Sequence, residues 1–252
     1  MKGKFAMIDG LDGCGKGVAI DAIVKYEKSK GTKIFDANDW WGTDLSKEPL
    51  HDYNPRIEDL KDMELLVSSE PTYAGVGRRI RNEYIKKNGR DYTSWLIANG
   101  YALDRLELYE TTINPARERG VHVVQSRGVI TSLIYQMVDA ERKGEAFSTL
   151  FDHLLNLPGN NFALLHAPSL LLILTVNDID GLMARLASRE KQDGAIFENV
   201  EFQRIIKPIY EREYIKELFE NRGTEVKYID AGISIEATGE QAVEIWKEHL
   251  KK

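Results

Sequence analysis

The sequence predicts an α/β protein, a three-layer α/β/α arrangement around a sheet of five parallel strands. Three observations carry that prediction. Short apolar runs recur along the chain. They are continuous rather than alternating, as a strand buried on both faces requires. Each is followed by a longer stretch whose apolar residues fall at helical spacing, and strand–helix alternation is what makes neighbouring strands parallel.

Phe5-Ala6-Met7-Ile8 is the first buried strand, and Ile20, Ile23 and Val24 mark the inner face of the helix after it. Leu65-Leu66-Val67 is the second strand. From about Tyr92, the residues Trp95, Ala98, Ala102 and Leu106 trace a helix stripe. Val121 to Val124 is the third strand, with Leu133 and Met137 on the helix that follows. Leu170 to Val176 is the most hydrophobic run and reads as a central strand. Helices are expected over Leu182–Ala187 and along Phe202, Ile205, Ile206, Ile209 and Tyr210. Val226 to Ile229 is the last strand, and Thr238-Gly239-Glu240-Gln241 has the capping-box pattern that opens a final helix.

Residues 36–62 break the alternation. They hold Trp40, Trp41, Pro49 and Pro55, eight acidic and three basic residues, and no sustained apolar period. They read as an excursion from the sheet with at most one short helix: a solvated surface insertion, with a lid or partner-binding role as the alternative. The excursion concentrates the charge. The chain of 252 residues carries 34 Lys and Arg against 40 Asp and Glu, a formal −6, and about −5 of it falls in this stretch.

Composition excludes several classes. With 42% hydrophobic and 29% charged residues the chain is globular, and no apolar run approaches a membrane span. The apolar part of Met1–Ile8 is too short for a signal peptide and then turns acidic. Cys14 is the single cysteine, which excludes an internal disulfide and a cysteine-cluster zinc site, and a cytoplasmic location is expected. The acidic balance, and the lack of a basic cluster interleaved with aromatics, argue against bulk nucleic-acid binding.

Gly10-Leu11-Asp12-Gly13-Cys14-Gly15-Lys16-Gly17 directly follows the first strand and precedes the first helix. It matches the G-x-x-x-x-G-K phosphate-binding loop in the context that motif requires. Gly10, Gly13, Cys14, Gly15, Lys16, Gly17 and Val18 are therefore the candidate ATP-phosphate-binding residues. The glycines let backbone N–H groups turn inward, and Lys16 neutralises the β- and γ-phosphates. Where Ser or Thr ordinarily supplies a hydroxyl to Mg²⁺, this chain has Gly17 and then Val18. No guanine signature Asn-Lys-x-Asp is present.

Further segments follow in order: Ser69-Glu70-Pro71-Thr72 with Gly77-Arg78-Arg79-Ile80-Arg81; Tyr101-Ala102-Leu103-Asp104-Arg105; Ile113 to Gly120; Ser126-Arg127-Gly128 through Ser132-Leu133-Ile134-Tyr135-Gln136; and Tyr228-Ile229-Asp230-Ala231 with Ser234-Ile235-Glu236. Together with the phosphate loop, this series resembles the thymidylate kinases, over most of the chain apart from residues 36–62 and parts of 140–168. The resemblance implies a P-loop kinase fold in a single domain, with a helical lid at about 185–198. It implies transfer of a phosphoryl group from ATP with Mg²⁺ to a pyrimidine deoxynucleoside monophosphate, most simply dTMP to dTDP, and a homodimer.

By the same resemblance, the acceptor site comprises Asp12 near the sugar 3′-hydroxyl, Glu70, Arg81 and Arg127 as phosphate clamps, Tyr101 stacking on the base, Arg105 donating to a base carbonyl, and Ser132 with Gln136. Arg guanidinium groups suit phosphate because they bind it in a bidentate manner. Tyr101 and Arg105, four apart, share a helix face, as do Ser132 and Gln136. Gln136 reads equally as a base-edge reader and as an ordinary polar helix residue. The catalytic cations are Lys16, Arg127 and, from the lid, Arg185 and Arg189, because no variable position of the phosphate loop is basic.

Three departures qualify the pattern. Gly17 replaces the metal-ligating hydroxyl, Ser126 replaces the acidic residue of an Asp-Arg-Tyr motif, and Gly128 replaces its aromatic. No residue is assigned as a direct metal ligand; Asp9 or Glu70 acting through water is the available support. The departures leave two alternatives beside the kinase reading: a weakly active or non-catalytic nucleotide-binding homologue, and a kinase for a modified pyrimidine nucleotide.

Overall fold

The computed structural model describes residues 1–145, 150–187 and 195–252. Among these, the strands are β1 (Phe5–Gly10), β2 (Ile34–Asp36), β3 (Leu65–Ser69), β4 (His122–Ser126), β5 (Leu170–Thr175) and β6 (Glu225–Asp230). The helices are α1 (Lys16–Ser29), α2 (Ala37–Trp41), α3 (Gly75–Arg79), α4 (Ser94–Leu108), α5 (Asn114–Glu118), α6 (Val129–Arg142), α7 (Leu150–Asn156), α8 (Pro158–Leu165), α9 (Ile179–Ala187), α10 (Val200–Tyr210), α11 (Glu213–Glu220) and α12 (Ile235–Leu250). Wider π-type turns extend α3 over Ile80–Tyr84 and α4 over Tyr109–Ile113.

The sheet is parallel throughout, in the order β2-β3-β4-β1-β5-β6. It therefore has six strands, not five. The additional one, β2, spans three half-buried residues at the sheet edge, and so short a strand leaves no apolar run to read. Every residue of β1 is buried, since β4 pairs on one side (Ala6 opposite Val124) and β5 on the other (Ala6 opposite Leu170). α1 packs with α12 on one face, and α4 with α6 and α8 on the other. The core continues into α12 through Trp246, whose indole N–H donates to Glu27 at 2.9 Å.

The final helix begins before the capping-box pattern. Ser234 is its cap, accepting from the Ala237 N–H at 3.0 Å, while the Thr238 hydroxyl is turned back onto the Ser234 carbonyl. Both residues can bond a backbone group locally, and the one at the chain's exit from β6 takes the terminus.

The excursion is partly built into the protein. Asp36 caps α2 by accepting from the Asn38 N–H at 2.8 Å, and Trp41 is fully buried. The indole N–H groups of Trp40 and Trp41 both donate to the Tyr53 carbonyl, at 3.3 and 3.2 Å. Arg78 of α3 donates to the carbonyls of Leu45 and Lys47, and the Asp52 carboxylate accepts from the Gly75 N–H at 2.7 Å.

Candidate active site

The strand order reverses at β1, so a crevice opens at the carboxyl ends of β1 and β4, where such sheets bind ligands. A cavity of about 320 Å³ lies there. Its walls come from four strand exits. After β1 come Asp12, Gly13, Gly15, Lys16 and Gly17; after β2, Asn38 and Thr43; from the end of β3 onward, Ser69, Glu70, Pro71, Tyr73 and Arg81; from the end of β4 onward, Ser126, Arg127, Thr131 and Tyr135. Tyr101 of α4, Ile85, and Ala195 with Phe197 before α10 complete the apolar part.

The phosphate loop is held closed by its own lysine. Lys16 Nζ donates to the carbonyls of Gly10 (3.0 Å) and Leu11 (2.6 Å), and burial lowers its pKa, with Arg127 adding to the effect. Gly10 has φ +139°, and a Cβ there would meet the Leu174 carbonyl oxygen at 2.5 Å, so no other residue lets β1 leave the sheet beside β5. Cys14 is buried, and burial pushes its thiol pKa up, which leaves it a packing residue. Val18 lies outside the cavity, in a groove between α1 and α12.

Asp12 joins three elements. Its carboxylate pairs with Arg127, accepts from the Tyr135 hydroxyl at 3.3 Å and accepts from Gln203 Nε2 at 2.8 Å. Burial works against the charge on Arg127, but the Asp12 carboxylate, with Tyr135, Asp9 and Tyr210 adding to it, raises the guanidinium pKa above its ordinary value. The Arg127 backbone is left-handed (φ +64°), and its carbonyl accepts from Gln125 Nε2 at 2.9 Å. Arg81 lies over the Tyr73 ring at 3.8 Å and donates to the carbonyls of Pro71 and Thr72.

Arg105 sits behind the cavity wall, 1% exposed. It donates to Glu70 (2.6 Å), to the Ser132 hydroxyl (2.8 Å) and to Asn160. Glu70 does line the cavity, and burial pushes its carboxyl up to about 7 against the opposing pull of Arg105. Burial likewise takes Asp104 to about 6 and the Tyr101 phenol to about 12. Gln136 is buried and its Oε1 accepts no hydrogen bond. Arg105, Ser132 and Gln136 thus form a polar layer under the surface that Tyr101, Glu70 and Arg127 present.

Asp9 is fully buried, outside the cavity lining, and accepts from the Gly10 N–H (2.7 Å), Thr131 (2.7 Å) and Tyr210 (2.8 Å). Among the described residues no three His, Cys, Asp or Glu side chains come together as a metal cage. A Cβ on Gly17 would meet nothing within 4 Å, so the missing hydroxyl is not a steric requirement. At Gly128 a Cβ would lie 2.6 Å from the Met7 sulfur, so the flexible end of that side chain would have to shift to admit a larger residue. Arg185 falls within α9, with its side chain outside the described part, and Arg189 lies outside the described residues altogether.

A family profile described as thymidylate kinase matches residues 56–242. The chain belongs to the thymidylate kinase family. The thymidylate kinase of Thermoanaerobacter sp. (strain X514) is 31% identical over 138 residues, 54% of this chain and 51% of that one. That of Caldicellulosiruptor saccharolyticus is 27% identical over 207 residues, 81% and 79% of the two chains. The chain thus spans about half the length of the first curated relatives it matches. A solved structure of thymidylate kinase from Candida albicans shares the fold, with a TM-score of 0.60 at 18% identity over 99% of this chain and 93% of that one. The family resemblance read from the segments is borne out, as is the α/β fold.

The thymidylate kinase profile begins within the excursion, so most of 36–62 lies outside it. Asn38 and Thr43 were not legible as cavity residues because no motif surrounds them. Gln203, Gln125 and Asn160 were missed because each acts on a residue distant in sequence, with no signal at its own position.

Proposed function

We propose that this chain transfers the γ-phosphoryl group of ATP, supplied as Mg·ATP, to a pyrimidine deoxynucleoside monophosphate, dTMP being the acceptor, and forms the diphosphate. The observation that supports it most is that one cavity collects a phosphate loop and an acceptor-type set, Arg81 and Arg127 beyond the neighbouring strands β3 and β4 with Tyr101 of α4. Phosphoryl transfer asks the protein for position and charge more than for covalent chemistry. Lys16 would exchange its two loop carbonyls for phosphate oxygens. Arg127, oriented by Asp12, would hold the acceptor phosphate in line. Arg81 would clamp it from the other side, and Tyr101 would stack on the base. The Glu70–Arg105 pair would fix the wall against which the base edge rests, with Ser132 and Gln136 behind it.

Arg185 and Arg189 are the proposed lid cations, within a single domain that carries the excursion at about 36–62 and the lid at about 185–198. The Asp9 and Glu70 carboxylates already have protein partners, and Gly17 offers no hydroxyl. The metal would therefore travel on the ATP phosphates with water completing its shell. A homodimer is proposed on family grounds.

Single-turnover reactions with Mg·ATP and a panel of nucleoside monophosphates test the reading. The expected product is dTDP, formed faster than any other diphosphate; no diphosphate from any acceptor overturns it. Gly17→Ser with Ser126→Asp should raise turnover, since the space at Gly17 is free.

A further inference from the structure

We propose that Gln203 of α10 is a positioning residue for the reaction, locking the Asp12 carboxylate and tying the segment after the lid to the phosphate loop. The inference rests on the acceptor role proposed for Asp12. Gln203 is fully buried, and its amide is spent on two points of the cavity wall. Its Oε1 accepts from the Asp12 N–H at 2.9 Å, while its Nε2 donates to Asp12 Oδ2 at 2.8 Å and to the Phe197 carbonyl at 3.1 Å. One side chain thus fixes both the backbone and the carboxylate of the residue that orients Arg127. The donor–acceptor sense suits an amide: its oxygen accepts from the Asp12 N–H while its nitrogen donates to the carboxylate, at any pH.

The second anchor explains why the residue sits on this helix. α10 starts at Asn199, whose side chain caps it by accepting from the Phe202 N–H at 2.9 Å. Phe197 lines the cavity and packs edge-on against Tyr135, with Phe202 beside both. The last turn of α10 carries Tyr210, which donates to Asp9 at the end of β1. The helix is therefore pinned to β1 and the loop after it at both ends. A displacement of the segment entering α10 reaches Asp12 through Gln203, and a displacement of Asp12 reaches Arg127 through their ion pair. The position of the segment entering α10 and the orientation of the acceptor clamp are coupled by this one amide.

Two variants test the assignment. Gln203→Leu keeps the volume and removes both bonds. Gln203→Glu keeps the acceptor for the Asp12 N–H but faces Oδ2 with a second carboxylate, so it can restore both bonds only when the pair shares a proton. The groups facing that pair are Arg127, Tyr135, Lys16, Tyr101 and, two turns along α10, Tyr210 with Asp9. Calorimetric binding of dTMP at pH 5.5 and 8, each referred to wild type at the same pH, should show a loss of at least tenfold at both pH values for Gln203→Leu. For Gln203→Glu the loss should be large at pH 8 and should shrink severalfold at pH 5.5, with the KM for ATP near wild type in both. Equal dTMP affinity in all three proteins, or a Gln203→Glu deficit independent of pH, overturns the proposal. Hydrogen exchange at the Asp12 amide, read without ligand, should speed up at least tenfold in Gln203→Leu. If wild type binds no pyrimidine nucleotide, the acceptor reading falls. Unchanged exchange at Asp12 then overturns the Gln203 lock by itself.

Discussion

The phosphate loop and the 36–62 excursion both leave the carboxyl end of a parallel strand, and both line the same cavity. They are built on opposite principles. In the loop, the basis of the wall is local: glycine conformations and one lysine, all within eight consecutive residues. In the excursion it resides in ties to distant partners. Trp41 fills the core, Arg78 holds the Leu45 and Lys47 carbonyls, and Thr112 donates to the Pro55 carbonyl. Only because these ties hold does the stretch present Asn38 and Thr43 to the cavity, with Asn38 Oδ1 accepting from Ser69 at 2.6 Å. A local code can be read locally; a wall assembled by tertiary contacts cannot.

The contrast can be broken by separating chemistry from folding. Lys16→Met should cost at least about a hundredfold in kcat, about 3 kcal/mol of transition-state stabilisation. It should leave dTMP binding within about threefold, because the lysine serves the donor phosphates. Steady-state rates beside acceptor calorimetry check this, and an equal loss in both would merge the two halves of the cavity. Trp41→Ala should act in the opposite sense and destabilise the fold by about 3–5 kcal/mol, the usual cost of emptying an aromatic's place in a core. Urea denaturation measures it. A loss below about 1 kcal/mol would return the excursion to the status of a solvated insertion.

The smallest effect sharpens the comparison most. Thr43→Val removes one hydroxyl from the cavity wall at constant volume. On the acceptor side, where β2 and β3 place it, this should raise the KM for dTMP about fivefold, near 1 kcal/mol, and leave the KM for ATP unchanged. Kinetics with each substrate varied in turn separate the two, and a change confined to ATP would move the excursion to the donor side.

Much of the site was legible because its chemistry is tied to local geometry. Lys16 follows its glycines by necessity, and Tyr101 and Arg105 share a helix face by periodicity. Depth was not legible. Arg105 and Ser132 lie under the wall, where Arg105 bonds both Ser132 and Glu70, because a buried guanidinium needs partners from several elements at once. Nor does the chain order record that Asp9, a candidate metal support through water, is buried and accepts from Thr131 and Tyr210. The edge strand β2 escaped notice because three half-buried residues carry no hydrophobic pattern.

By itself the sequence determined the parallel α/β architecture, the phosphate loop and the family, since each depends on spacing along the chain that short-range geometry enforces. Only the tertiary structure decided which polar groups face the cavity and which are consumed beneath it. It also decided that the acidic excursion is a wall, and that Gln203, 191 residues from Asp12, holds it in place. Hydrogen-bond satisfaction in a dry interior is a property of neighbours in space, and the chain order does not record who those neighbours are.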